Sequence, residues 1–167
     1  MRIFARTFIA LTAIAFSTAA TAQWKEIREP NLGYTAAFPV KPEARAAIYQ
    51  GVAQSVHSAA ATGVFCNVSV SHHPQAVDPK VELAASRDSF VQDTGSKISS
   101  VKEISVLRGA KQLPALEIDS SNAVFALRAI VVVDGSRVYQ VAGGVPSHGG
   151  RKSDLERCVR GLKLTAN

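Results

Sequence analysis

The sequence predicts an α+β fold in which helices pack on an antiparallel sheet, and three observations predict it. The segments follow the order strands, helix, strands, helix. Residues that start and stop helices bracket only two stretches. Late in the chain an Asp-Gly pair divides two β-branched runs, which marks a two-residue antiparallel hairpin.

The chain opens with Arg2 and Arg6, an apolar run from Phe8 to Phe16, and the small residues Ala20-Thr21-Ala22 ahead of Gln23. Those are the three parts of a secretory signal peptide. The run is about half of the roughly 20 residues a membrane helix needs, so a leader over residues 1–22, cleaved near Ala22, is expected rather than an anchor. The residue directly after Ala22 is Gln23 rather than a cysteine, which disfavours a lipid-anchored form. Export predicts a periplasmic or secreted protein whose residues 23–167 form a single α+β domain of a size that supports one core. The most apolar later segment, Ala129 to Val133, is strand-sized, so no transmembrane span is expected.

Trp24 to Glu29 and Gly33 to Phe38 read as two strands, the second ended by Pro39-Val40-Lys41-Pro42. Ala44 to Tyr49, Ala53 to Ala61 and Val64 to Ser71 read as a meander punctuated by Gly51 and Gly63. In the last of these, Val64, Cys66, Val68 and Val70 share one face, and Phe65, Asn67, Ser69 and Ser71 the other. A helix then starts at Asp78, an N-cap followed by Pro79, and stops at Gly95. Leu83, Ala84, Phe90 and Val91 form most of its apolar stripe. Arg87 interrupts the stripe, packing its stem while its head reaches the rim.

Ser99 to Leu107 and Ala115 to Asp119 read as strands around a turn at Arg108 to Pro114. Val124 to Val133, Asp134-Gly135, and Arg137 to Ala142 form the hairpin, with Val131 facing Val138 and Ile130 facing Tyr139. Both of its faces are apolar, which places it mid-sheet with cover on each side. Gly143-Gly144 and Gly149-Gly150 read as a flexible connector. Ser153 with Glu156 makes a capping box for a last helix that ends at Gly161, and Leu162 to Leu164 adds a short strand.

Cys66 and Cys158 are the only two cysteines, an even count that favours a disulfide in an exported protein. Cys66 lies on the apolar face of its strand. Leu155, Cys158, Val159 and Leu162 follow helical spacing, so both thiols face the core and a helix-to-sheet bridge is expected. The alternative is two buried, reduced thiols acting as small apolar side chains. No Cys-x-x-Cys pair supports redox catalysis.

The formal net charge is +6, and Arg2 and Arg6 of the leader carry part of it. With no basic run and no interleaving of aromatic and basic residues, no nucleic-acid partner is expected. No glycine-rich phosphate motif is present, so no cofactor is expected, and no Gly-x-Ser-x-Gly elbow marks a catalytic serine. His72 and His73 sit at a strand end and are the metal-ligand candidates. As strand neighbours they point to opposite faces, so a metal would need further ligands from His57, His148 or a carboxylate. A Ser/His/Asp site assembled from scattered residues stays open, because triads are defined by geometry.

Trp24 followed by Gly33-Tyr34-Thr35-Ala36-Ala37-Phe38-Pro39-Val40-Lys41-Pro42 resembles the opening of PsbP-like exported proteins. Gln112 to Glu117 is similar to the strand ahead of that family's central hairpin, and Arg137 to Val141 and Leu155 to Leu164 to its final section. The resemblance implies an α/β/α sandwich and a role in protein binding or assembly rather than catalysis. The cysteine pair and His72-His73 depart from the family pattern. The first functional expectation is therefore a non-catalytic binding or assembly module with an envelope protein as partner. The alternatives are a small hydrolase or metal-dependent enzyme using His72 or His73, and a carrier of an apolar ligand in a closed cavity.

Overall fold

The computed structural model describes residues 23–49 and 51–166, and the predicted leader 1–22 lies outside them. Among the described residues the chain forms β1 (Lys25–Glu29), β2 (Tyr34–Phe38), β3 (Glu43–Tyr49), β4 (Val52–Ala61), β5 (Val64–His72), α1 (Pro79–Thr94), β6 (Lys97–Arg108), β7 (Lys111–Ser121), β8 (Phe125–Asp134), β9 (Arg137–Pro146), α2 (Lys152–Arg160) and β10 (Lys163–Leu164). All ten strands join one sheet in the order β1-β2-β10-β6-β7-β8-β9-β5-β4-β3.

This architecture corrects the expected antiparallel sheet with helices packed on it, and with it the α/β/α sandwich. Strands hold 57% of the described residues and helices 17%, so sheet dominates and two short helices cannot form covering layers. The sheet is also mixed: β10 runs antiparallel to β2 but parallel to β6, where Leu164 pairs with Arg108. The error came from weighing the two helix signals as layers. A strand and a helix of equal residue number cover very different lengths, and nine residues of α2 reach only about 14 Å.

The sheet solves the shortage by covering itself. Five strands separate β2 from β5 in the hydrogen-bonded order. Yet Tyr34, Ala36 and Phe38 of β2 are buried in one cluster with Cys66, Val68 and Val70 of β5 and Tyr139 and Val141 of β9. The Tyr34 hydroxyl lies 2.7 Å from His57 Nδ1 on β4, and Tyr139 Oη donates to the Leu32 carbonyl at 3.0 Å. The sheet therefore curls until β1 and β2 lie over β4, β5 and β9. Leu155, Cys158 and Val159 of α2 complete this side, and Cys158 is joined to Cys66 by a disulfide. On the opposite face Leu83 and Phe90 of α1 pack over Leu116, Ile118, Leu127, Ala129, Val131 and Val133.

Local signals explain α1 well. Asp78 Oδ1 accepts the Val81 N–H at 2.9 Å, Pro79 opens the helix, and Gly95 closes it in the left-handed region at φ 57°. Arg87 is half-buried, and its guanidinium pairs with the adjacent Asp88. Helix α2 differs from expectation: its N-cap is Arg151 without a side-chain cap bond, and Ser153 lies inside the helix. Glu156 is drawn instead to Arg128 on β8.

The central hairpin is also offset by two residues from the expected register. Asp134 pairs with Arg137, and Val131 with Gln140, so Gly135 and Ser136 form the loop. An offset of two leaves every side chain on its expected face. Asp134 is held as a strand residue by Arg108 and Lys111, both of which donate to its carboxylate. Gly143 and Gly144, read as part of a connector, are strand residues of β9. A Cβ at Gly143 would sit 2.8 Å from Cys158 Sγ, and one at Gly144 would sit 2.2 Å from the Phe65 ring. Glycine is required there for close packing on both faces. Strand β7 likewise runs through Pro114, at a point where β6 is its only neighbour, so the missing N–H breaks no ladder on the open side.

The bridge spans 92 positions, and replacing both Cys66 and Cys158 by alanine is expected to lower the unfolding free energy by about 4 kcal/mol, read from urea denaturation. Burial alone would raise the pKa of Asp134, but Lys111 and Arg108 outweigh it and hold the carboxyl below its ordinary value. A depressed folded pKa stabilises above the unfolded value and is lost as pH falls through the folded one. Asp134→Asn should therefore be less stable than the parent at pH 7, with the gap closing as pH drops below the ordinary carboxylate range.

Candidate functional site

Helix α1 covers β7 and β8 and leaves the same face of β9, β5, β4 and β3 open beside it. At these positions the strands carry Gln54, Asn67, Ser69, Ser71 and Gln140 among the apolar Val52, Val56 and Val138, where the covered strands present Leu116, Ile118, Ala129, Val131 and Val133. The result is a groove of about 510 Å³ between α1 and the sheet. Its floor is set by register: Gln54 lies opposite Ser71 across β4 and β5, and Ser69 opposite Gln140 across β5 and β9. Gln54 Nε2 donates to Ser71 Oγ at 2.9 Å, and Asn67 Nδ2 to Ser58 Oγ at 3.3 Å. These half-buried amides and hydroxyls keep unused donor and acceptor capacity facing the groove.

One wall is α1, with Glu82, Ser86, Ser89 and Asp93 along it. The other is β3, with Arg45 and Tyr49. Tyr49 Oη donates to both Asp93 carboxylate oxygens, at 3.2 and 3.1 Å, and ties the walls together at one end. Phe65 and Phe90 supply apolar patches beside the polar floor.

The two histidines part company. His73 reaches the groove, with Nε2 3.9 Å from Glu82 Oε1, and its backbone N–H donates to the Ser136 carbonyl. His72 lies by the other face, in a shallow depression with Ala46, Ile48 and Ala53. Burial first, and then the positive charge of Arg137, lowers the His72 pKa and favours its neutral form. His57 is buried and His148 is exposed in the turn after β9. Among the described residues no three His, Cys, Asp or Glu side chains come together as a metal site. Ser86, Glu82 and His73 do share the groove, and Ser86 Oγ donates to Glu82 Oε1 at 3.3 Å. Glu82 stands between the hydroxyl and the imidazole, so His73 is not placed to take the serine proton.

Two polar clusters on the opposite face were not found by sequence reasoning. Glu29, His57 and Tyr34 form a chain, with His57 Nε2 3.4 Å from Glu29 Oε1 and Nδ1 on the Tyr34 hydroxyl. Burial, and then the Glu29 charge, raises the Tyr34 pKa far above the ordinary phenol value, so the hydroxyl stays protonated. Nearby, both Glu117 oxygens accept from Arg160 Nη2 at 2.9 Å, and Arg128 joins Glu117, Asp119 and Glu156. Burial opposes the Arg128 charge, but the bonds to Asp119 and Glu156 outweigh it and raise its pKa. This second cluster fastens α2 to β7 and β8. Neither cluster opens on the groove, and no local pattern marks either one, since each is completed by residues of separate elements, His57 of β4 in the first and Glu156 and Arg160 of α2 in the second.

Tyr34→Phe leaves the buried His57 Nδ1 without its partner, and a loss of about 1–3 kcal/mol in stability is expected from thermal or urea unfolding. Groove binding, on the other face, is expected to be unchanged.

Compared with known proteins, the chain matches no family model and no curated protein, so the chemistry of the groove is read from its own side chains.

Proposed function

We propose that this protein is a non-catalytic binding module of the periplasm or the extracellular space, and that its groove between α1 and strands β9, β5, β4 and β3 takes an extended segment of an envelope protein. The observation that carries this reading is the floor: Gln54, Asn67, Ser69, Ser71 and Gln140 are neutral, polar and arrayed across adjacent strands. Such a row offers donors and acceptors to an extended backbone, with Phe65 and Phe90 as footholds for apolar side chains. An open groove that mixes amides and hydroxyls with Val56, Phe65, Phe90 and Val138 suits a polypeptide segment, which carries both kinds of group, better than a purely apolar ligand.

The leader pattern and the Cys66–Cys158 bridge support the location, because disulfides persist in oxidising compartments. The likeness to PsbP-like exported proteins supports an assembly role through the residues that carry it, such as Gly33 to Pro42, and no longer through the sandwich it implied. A hydrolytic reading is favoured only by the company of His73, Glu82 and Ser86, whose order lacks a serine–histidine contact.

Site-specific photo-crosslinking in the exported protein tests the proposal. A photoreactive residue at Ser89, on the groove wall, should give a discrete protein adduct, and the same residue at the exposed His148 should not. Adding Ser69→Arg, which fills the floor, should abolish the adduct. Equal adducts at both positions, or one that survives Ser69→Arg, would count against the groove. Ester hydrolysis lost in both Ser86→Ala and His73→Ala would replace binding with catalysis.

A further inference from the structure

The two ends of the sheet are built differently. Strand β1, at one end, places Lys25, Glu26, Arg28 and Glu29 in five residues, and such charge density blocks pairing with another strand. Strand β3, at the other end, contains no proline and no lysine. It pairs with β4 residue for residue from Glu43 to Tyr49 without a bulge. Its last four residues, Ala46 to Tyr49, are uncharged, and Ile48 is 80% exposed. Past Arg45, the usual protections of a free edge are missing.

We propose that two copies of this chain pair through β3, antiparallel and about a two-fold axis at Ala47, so that their sheets become one. That register is selected by what it brings together. It sets Arg45 of each copy opposite Tyr49 of the other on the groove side, since residues two apart share a face. Tyr49 is bonded to Asp93, so each Arg45 arrives beside a carboxylate. Among the described residues neither Arg45 nor Asp93 has an ion-pair partner within its own chain, and the pairing supplies one to both, twice. On the opposite face the register sets Ile48 against Ala46 of the other copy, over the shallow depression floored by Ala53 and Ser55. A centre at Arg45 would instead oppose two arginines. The charge complementarity is of the isologous kind that a two-fold requires, with the same residues serving both copies. It reaches beyond the groove ligand proposed above and does not depend on it.

Light scattering after size exclusion, on residues 23–167 with the bridge intact, tests the pairing. The parent is expected to run as a dimer. Arg45→Asp should weaken association at least tenfold, and Arg45→Asp with Asp93→Arg should restore it, because the exchange returns opposite charges to the same places. Ala47→Pro should give a monomer with unchanged near-ultraviolet circular dichroism. A parent that stays monomeric at high concentration overturns the proposal. So does a dimer indifferent to Arg45→Asp, an exchange that fails to restore association, or a monomeric parent whose β3 edge takes up a foreign extended peptide.

Discussion

The fold depends on one shortage: a ten-stranded sheet must bury its inner face, and only the nine residues of α2 are available as helix on that side. The sheet answers by curling, so that β2 covers β5 and β9 while remaining, through β10 and β6, part of the same hydrogen-bonded surface. Burial of Tyr34, Phe38, Val68 and Val141 drives that closure, because apolar area removed from water is the largest favourable contribution available. The disulfide then holds α2 in the gap that the strands leave. Where the β9 backbone meets α2, at Gly143, and where it meets the Phe65 ring on the other face, at Gly144, there is no room for a side chain.

The two faces of the sheet consequently serve different ends. The inner face is closed, and its polar groups are matched to one another: Glu29 with His57 and Tyr34, and Glu117 with Arg128 and Arg160. Its chemistry is internal. The outer face is covered by α1 over β7, β8 and Val138 of β9, and the strands beyond carry serine, asparagine and glutamine among their valines. The proposed binding belongs on this outer side, where the groove and the β3 edge adjoin.

Legibility in the sequence followed the range of each interaction. Asp78, Pro79 and Gly95 act within one turn of α1, and their roles are readable from spacing alone. The face of Cys66 is readable from alternation, and that of Cys158 from helical spacing. The curl is not readable, because the meeting of Tyr34 with His57 joins strands that no local pattern connects. Gly143 and Gly144 mislead for a related reason: glycine marks flexibility in a loop and close packing in a strand, and only the facing residues tell which. Ser153 with Glu156 fits a capping box, yet Arg128 competes for the glutamate. The groove was half visible. Phe65, Asn67, Ser69 and Ser71 are legible as the less apolar face of a strand, but that α1 stops short of covering them depends on where the helix packs.

The self-covering sheet is tested most directly by nuclear Overhauser effects between the rings of Tyr34 and His57, whose centroids lie 6.1 Å apart. The account predicts ring-to-ring cross-peaks, together with contacts from Phe38 to side chains of the β5 and β9 core. A Tyr34 ring with cross-peaks only to its sheet neighbours in β1 and β10 would mean that the sheet lies open, and would contradict it.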